Sequence, residues 1–191
     1  MSPQRSNRST LIEGTLRCLE RLPPERVTAR AIAEESGANL ASIAYHFGSK
    51  DALVTLAVIE GLDRWLADIS DGLARLDEAD PVERYRRAYA VVDASRDRHI
   101  GLAKNLLSAL AKALHDPQVR AMLAEGFRKT RPTLATTLGL GADQAGRDAA
   151  GLVLAMFDGM LFQTLLDPDL AIEGARLDQA HVRLRGLLPE R

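Results

Sequence analysis

The sequence predicts an all-α fold of about nine helices, with an N-terminal three-helix helix-turn-helix unit and a larger helical body. Three observations carry this expectation. Hydrophobic residues make up 46% of the chain but aromatic ones only 4%, so the core is mainly Leu, Ala, Val and Ile, a mix that favours helices over sheets. Apolar residues recur at helical spacing, and no alternating β-type stretch stands out. Helix start and stop signals divide the chain at intervals, from Thr28 and Gly37 to Asp143 and Asp167-Pro168.

Taken in order, residues 1–7 read as a disordered tail. The first helix is expected from about Ser9 to Leu22, where Leu11, Ile12, Thr15, Leu16, Cys18 and Leu19 give it an apolar face and Pro23-Pro24 ends it. Thr28 is an N-cap for a short helix carrying Ala31, Ile32 and Ala33, and Gly37 suits the left-handed position that ends it. Asn39 caps a second short helix over Leu40 to His46, and Ser49 caps a long one from Lys50 to about Leu76. Gly61 lies near the middle of that helix, where a bend could form. Asp80-Pro81-Val82-Glu83 combines an acid cap, Pro at the first position and Glu at the third, opening a helix to about Ser95. Further helices are expected from Asp97 to Leu114, from Asp116-Pro117 to Leu138, from Asp143 to Leu166 and from Ile172 to Leu188.

Two short helices about a tight turn containing Gly form the helix-turn-helix pattern. Here the pattern is filled by Ile32, Ala33, Gly37, Ser42, Ile43, Tyr45, His46, Phe47, Ser49, Lys50 and Leu53. In this spacing the chain resembles the DNA-binding domain of the TetR family of transcriptional repressors over roughly residues 8–56. The resemblance places the boundary between the DNA-binding domain and the ligand-binding and dimerisation domain at residues 50 and 51, with order from about residue 8. Ile32, Ala33, Ile43 and Phe47 are apolar where the three-helix core must pack. The DNA-facing residues are then Thr28, Arg30, Asn39, Leu40, Ala41, Ser42, Tyr45, His46 and Lys50. Asn39 has the donor and acceptor for an adenine edge, and Leu40 and Ala41 suit thymine methyls. Tyr45, His46 and Lys50 suit phosphates that fix register, Lys50 at a helix N-terminus that itself attracts phosphate. Ala44 departs from the family pattern, where many members have a phosphate-reaching tyrosine, and Ala41 stands where many have glycine.

The formal net charge is −1, which argues against a protein that coats nucleic acid generally. Residues 1–50 hold seven Lys/Arg against five acids, a net of +2, leaving −3 for the rest. This fits a small basic head, with Arg5 and Arg8 in an arm that can reach phosphates, on an acidic body. The single cysteine, Cys18, allows no intramolecular disulfide and reads as a small buried hydrophobe. The N-terminal MSPQRSNRS lacks an apolar signal-peptide core, and the longest apolar run, Ala149 to Phe157, is too short to span a bilayer. A cytoplasmic protein without a membrane partner is the expectation. No Gly-rich phosphate loop and no nucleophile elbow are present. The four histidines, His46, His99, His115 and His181, show no metal-ligand spacing, so neither an enzyme nor a metal or cofactor site is expected.

In the body, a small-molecule pocket between helices is the natural expectation. Its candidate lining is Trp65, Tyr85, Tyr89, Asn105, Ser108, Met122, Phe127, Met156 and Phe157, a mostly apolar set that suggests a largely apolar effector. Gly151, Ala155 and Gly159 recur every four residues and share one helix face. The resemblance implies that the last two long helices form a four-helix bundle across a twofold axis, so Gly151, Ala155, Gly159, Leu184 and Leu188 are the candidate dimer interface. A twofold dimer reads a near-palindromic operator. The resulting expectation is a homodimeric repressor released by a small effector. The alternative is a helical interaction or ligand-binding protein of the same fold that has lost operator binding.

Overall fold

The computed structural model describes residues 3–74 and 81–186. Among these residues the regular structure is entirely helical, with eight α-helices. These are α1 (Pro3–Arg21), α2 (Ala29–Ser36), α3 (Ala41–Phe47), α4 (Lys50–Ala74), α5 (Pro81–Ala113), α6 (Pro117–Leu138), α7 (Gln144–Leu166) and α8 (Gly174–Arg185). Short 3-10 turns occupy Pro24–Arg26 and Pro168–Leu170. The chain forms two compact units, Met1–Leu154 and Ala155–Arg191, divided within α7.

Local chemistry accounts for most of the helix ends. Thr28 accepts from the Ala31 N–H at 3.1 Å, and Ser49 Oγ accepts from the Ala52 N–H at 3.0 Å. Asp116 accepts from the N–H groups of Gln118 and Val119, and Asp143 from that of Gly146. Gly37 ends α2 at φ 61°, a left-handed conformation that costs glycine little. Asn39 also caps, its Oδ1 taking the Ala41 N–H at 2.9 Å, but the helix opens at Ala41 rather than Leu40.

Four expectations are corrected. Helix α1 starts at Pro3, not Ser9, so residues 3–7 are helical; Pro is tolerated in a first turn, whose N–H groups lack helical partners anyway. The two helices expected over Asp80–Ser95 and Asp97–Leu114 are one, the 33-residue α5. No Gly or Pro interrupts it near residue 95, and Ser95 Oγ donates back to the Val91 carbonyl at 2.6 Å within the continuing helix. The last helix begins at Gly174 rather than Ile172, after the Pro168–Leu170 turn. Finally, α7 is long and apolar enough to cross a membrane by length and composition, with a mean hydropathy of 1.6 over an 18-residue window. Counting only the uninterrupted run from Ala149 to Phe157 understated it, because few polar residues break the helix. Asp80, the expected cap, and Leu188 lie outside the described residues.

The first unit is built around α1, which packs on α2, α4 and α5, while α4 packs on α5 and α6. Leu11, Leu19, Val27, Ile32, Leu53 and Val58 are fully buried where these helices meet. Each such side chain contributes on the order of 1.5–3 kcal/mol relative to exposure. Cys18 is buried among them, and burial pushes its thiol up, as befits a packing residue. Two glycines set the approach of helices. A Cβ on Gly101 would stand 2.0 Å from the Leu19 carbonyl oxygen, so α5 crosses α1 with backbone nearly against backbone. A Cβ on Gly61 would stand 2.6 Å from Leu102, so this residue makes room for packing and α4 runs through it unbroken.

Candidate nucleic-acid interface

Helix α3 divides its residues cleanly. Ile43 and Phe47 are buried at 3% and 9% exposure, locking one side onto α1 and α4. Leu40, Ala41, Ala44 and Tyr45 face outward, with Tyr45 at 71% exposure and Leu40 at 50%. Positions 41, 44 and 45 are three and four residues apart, so they share one helix face. The outward surface is thus a narrow ridge with one large ring, of a size that enters a major groove.

The other expected contacts surround this ridge to different degrees. Thr28 and Arg30 are exposed at the start of α2, the Thr28 hydroxyl already engaged as a cap. Asn39 is exposed but engaged in the Ala41 cap. Ser42 and His46 are half-buried; the His46 ring sits edge-on to Tyr45, with centroids 4.9 Å apart. Ala44, set by the sequence at the position of a phosphate-reaching tyrosine but not among the DNA-facing residues, is exposed on the same helix face as Ala41 and Tyr45. The i, i+3 relation to Ala41 is the signal that could have found it.

Charge in the head is also partitioned. Arg17 and Arg21 both pair with Glu35, whose carboxyl is held below the usual range, first by its hydrogen bond from Arg17. Arg8 lies over the Phe47 ring, 5.3 Å from its centroid, and ties α1 to the end of α3. At the start of α4, Lys50 Nζ pairs with Asp51 Oδ1 at 2.9 Å, and Lys112 Nζ of α5 meets the same oxygen at 2.6 Å. Partial burial pushes the Asp51 carboxyl up, but the bonds from Lys112 and Lys50 outweigh it and hold it below its ordinary value.

The candidate effector residues are spread through the packing. Trp65 is 7% exposed, donates Nε1–H to Ser95 Oγ at 2.9 Å and stacks on His99 at 4.5 Å between centroids. Burial pushes the Tyr85 phenol up to about 12; its ring is 6.4 Å from that of Tyr89, which is buried. Asn105 is 2% exposed and donates to the Gly101 carbonyl. Asn105 and Ser108 border one recess of about 10 Å³, room for a single water. Met122 and Phe127 are half-buried on α6. In the second unit, Phe157 is half-buried and Met156 exposed. That unit also carries an open groove of about 540 Å³, lined by Ile172, Arg176, Gln179, Ala180, Val182 and Arg183, none of them among the expected residues.

Of the candidate dimer residues, Gly151 lies against the Arg131 guanidinium, 3.0 Å from where its Cβ would stand. Gly159 faces open space, and Ala155 and Leu184 are exposed.

Residues 11–57 match the profile of bacterial regulatory proteins of the tetR family, and residues 95–189 match that of the BetI-type transcriptional repressor C-terminal domain. The chain belongs to the TetR family of transcriptional regulators. The HTH-type transcriptional regulator BetI of Burkholderia orbicola (strain MC0-3) is 24% identical over 176 residues, 91% of this chain and 90% of that protein. Among solved structures, the multidrug binding protein EbrR complexed with imidazole is 25% identical, with a TM-score of 0.67 over 100% of this chain and 98% of that one. A transcriptional regulator from Saccharomonospora viridis in complex with choline is 25% identical, with a TM-score of 0.56 over 84% and 85%. Salmonella enterica GusR, at 20% identity, shares the fold, with a TM-score of 0.66 over 98% and 97%. This TetR-family regulator therefore joins an N-terminal helix-turn-helix head to a helical carboxy-terminal domain, as its relatives do.

Proposed function

We propose that this TetR-family regulator is a homodimeric repressor in the cytoplasm that binds a near-palindromic operator and leaves it when a small, largely apolar effector enters the helical body. The observation that carries this reading is the α3 face of Leu40, Ala41, Ala44 and Tyr45, held outward by Ile43 and Phe47, with Lys50 at the following helix start. Base edges meet the residues at the N-terminal end of that face, and Tyr45, His46 and Lys50 take phosphates. Release is linkage: an effector that prefers a body shape with the wrong spacing of heads weakens DNA binding by its differential affinity. The choline and imidazole found in two neighbours support a small molecule as the signal.

The dimer reading draws on the exposed apolar side chains of α7 and α8. Leu152 is 71% exposed, Met156 44%, Val182 67% and Leu184 44%. Together with Gly151, Ala155, Gly159 and Leu188 they form the proposed interface. The second reading, a ligand-binding protein of this fold without operator binding, is favoured only by Ala44, which removes one phosphate contact from α3.

The test is fluorescence anisotropy with DNA flanking the protein's own gene, at two salt concentrations, with Tyr45→Ala and Lys50→Ala alongside. Sequence-specific binding should fall with salt, and each substitution should weaken it by about tenfold. An absence of specific binding to any genomic fragment would turn the assignment to the second reading.

A further inference from the structure

We propose that Lys112, on the body helix α5, sets operator affinity through Asp51 without touching DNA. The inference rests on the operator reading above. Lys50 and Asp51 are adjacent in sequence at the start of α4, whereas Lys112 comes from 61 residues further on. Both ammonium groups meet the same carboxylate oxygen, at 2.9 and 2.6 Å. All three side chains are about a third exposed, at 32%, 36% and 35%, so solvent screens the group only in part.

The sign of the effect follows from counting charge. Two cations share one anion, so the cluster is net positive and the Lys50 charge stays available to a phosphate. Without Lys112, Asp51 pairs one-to-one with Lys50. A phosphate must then compete with a carboxylate for that lysine and approach the carboxylate's own negative charge. Asp51 is therefore a brake on the DNA contact, and Lys112 lifts it. Lys112 is a positioning residue here, since it acts through Asp51 and Lys50.

The arrangement also gives the body a handle on the head. A recess of about 10 Å³ lies beside the pair between α4 and α5, bordered by Val54, Asn105 and Ser108. A small displacement of α5 that draws Lys112 from Asp51 leaves Asp51 paired one-to-one with Lys50. Operator affinity then falls even with α3 unmoved.

The experiment is a double-mutant cycle on operator affinity in the full-length protein, with Lys112→Met, Asp51→Asn and the double variant. Lys112→Met keeps the aliphatic stem; Lys112→Gln replaces it should thermal melts show an unfolded protein. Lys112→Met is expected to bind about fivefold more weakly, Asp51→Asn at least as tightly as wild type, and the double variant within about twofold of Asp51→Asn. Lys112→Met binding as well as wild type would overturn the proposal and leave the operator reading intact. A double variant as weak as Lys112→Met would also overturn it, by showing that Lys112 touches DNA itself. A wild-type protein that binds no DNA would remove the operator reading, and this inference with it.

Discussion

In the head, apolar side chains turn inward: Ile32, Ile43, Phe47 and Leu53 are each at most 9% exposed, and Leu40 and Tyr45 stand out on α3. Along α7 and α8, by contrast, Leu152, Met156, Leu166 and Val182 are exposed at 44% to 84%. The head closes its core against α4 and α5 and leaves outward a ridge of groove-sized side chains. The carboxy-terminal helices turn large apolar side chains outward, the kind of exposure found at interaction surfaces. One region buries its large apolar side chains; the other exposes them.

The contrast breaks most sharply at Gly101. Ala in place of Gly ordinarily stabilises a helix by up to about 1 kcal/mol. At Gly101 the added Cβ would stand 2.0 Å from the Leu19 carbonyl, so Gly101→Ala should instead destabilise by about 3 kcal/mol. Gly72→Ala, with nothing within 4 Å of its Cβ, is the control and should be neutral or stabilising. Urea unfolding of both variants decides.

A somewhat smaller effect sharpens the other side of the comparison. Burial pushes the Asp158 carboxyl of α7 up to about 6 from an ordinary value of 3.8. The folded state thus favours the protonated form, so the burial costs nothing below about pH 4 and grows as pH rises through 4 to 6. At pH 7.5 the charged group costs on the order of 2–3 kcal/mol. Asp158→Asn should raise thermal stability at pH 7.5 and change little at pH 4, as melts at the two values would show. The smallest effect is in the head, where Thr28→Ala removes the α2 cap and should cost about 1 kcal/mol in the same denaturation assay.

The head was legible because its decisive interactions are local. Thr28 reaches Ala31, Ser49 reaches Ala52, and Gly37 ends α2 by its own backbone freedom, all within a few residues. Ser95 misled for the opposite reason. The sequence places a helix end there, but Trp65, 30 residues away, donates to the Ser95 hydroxyl, whose own proton goes to Val91. Lys50 was legible as a cation at a helix start, yet the lysine that shares its partner lies on another helix. The pocket residues were read from composition alone, and packing used Trp65 and Asn105 as core.

Helix α5 being one unbroken rod of 33 residues constrains how this chain can vary in length. Ser95, which receives Trp65, Gly101, which admits Leu19, and Lys112, which meets Asp51, are read from one rigid screw. A single residue inserted between Ser95 and Gly101 would rotate one part against the other by about 100°. An insertion of about seven residues, near two whole turns, would keep those faces aligned but would move the ends some 10 Å apart. Homologous chains that keep these contacts should therefore show length changes at the helix ends and none within this stretch.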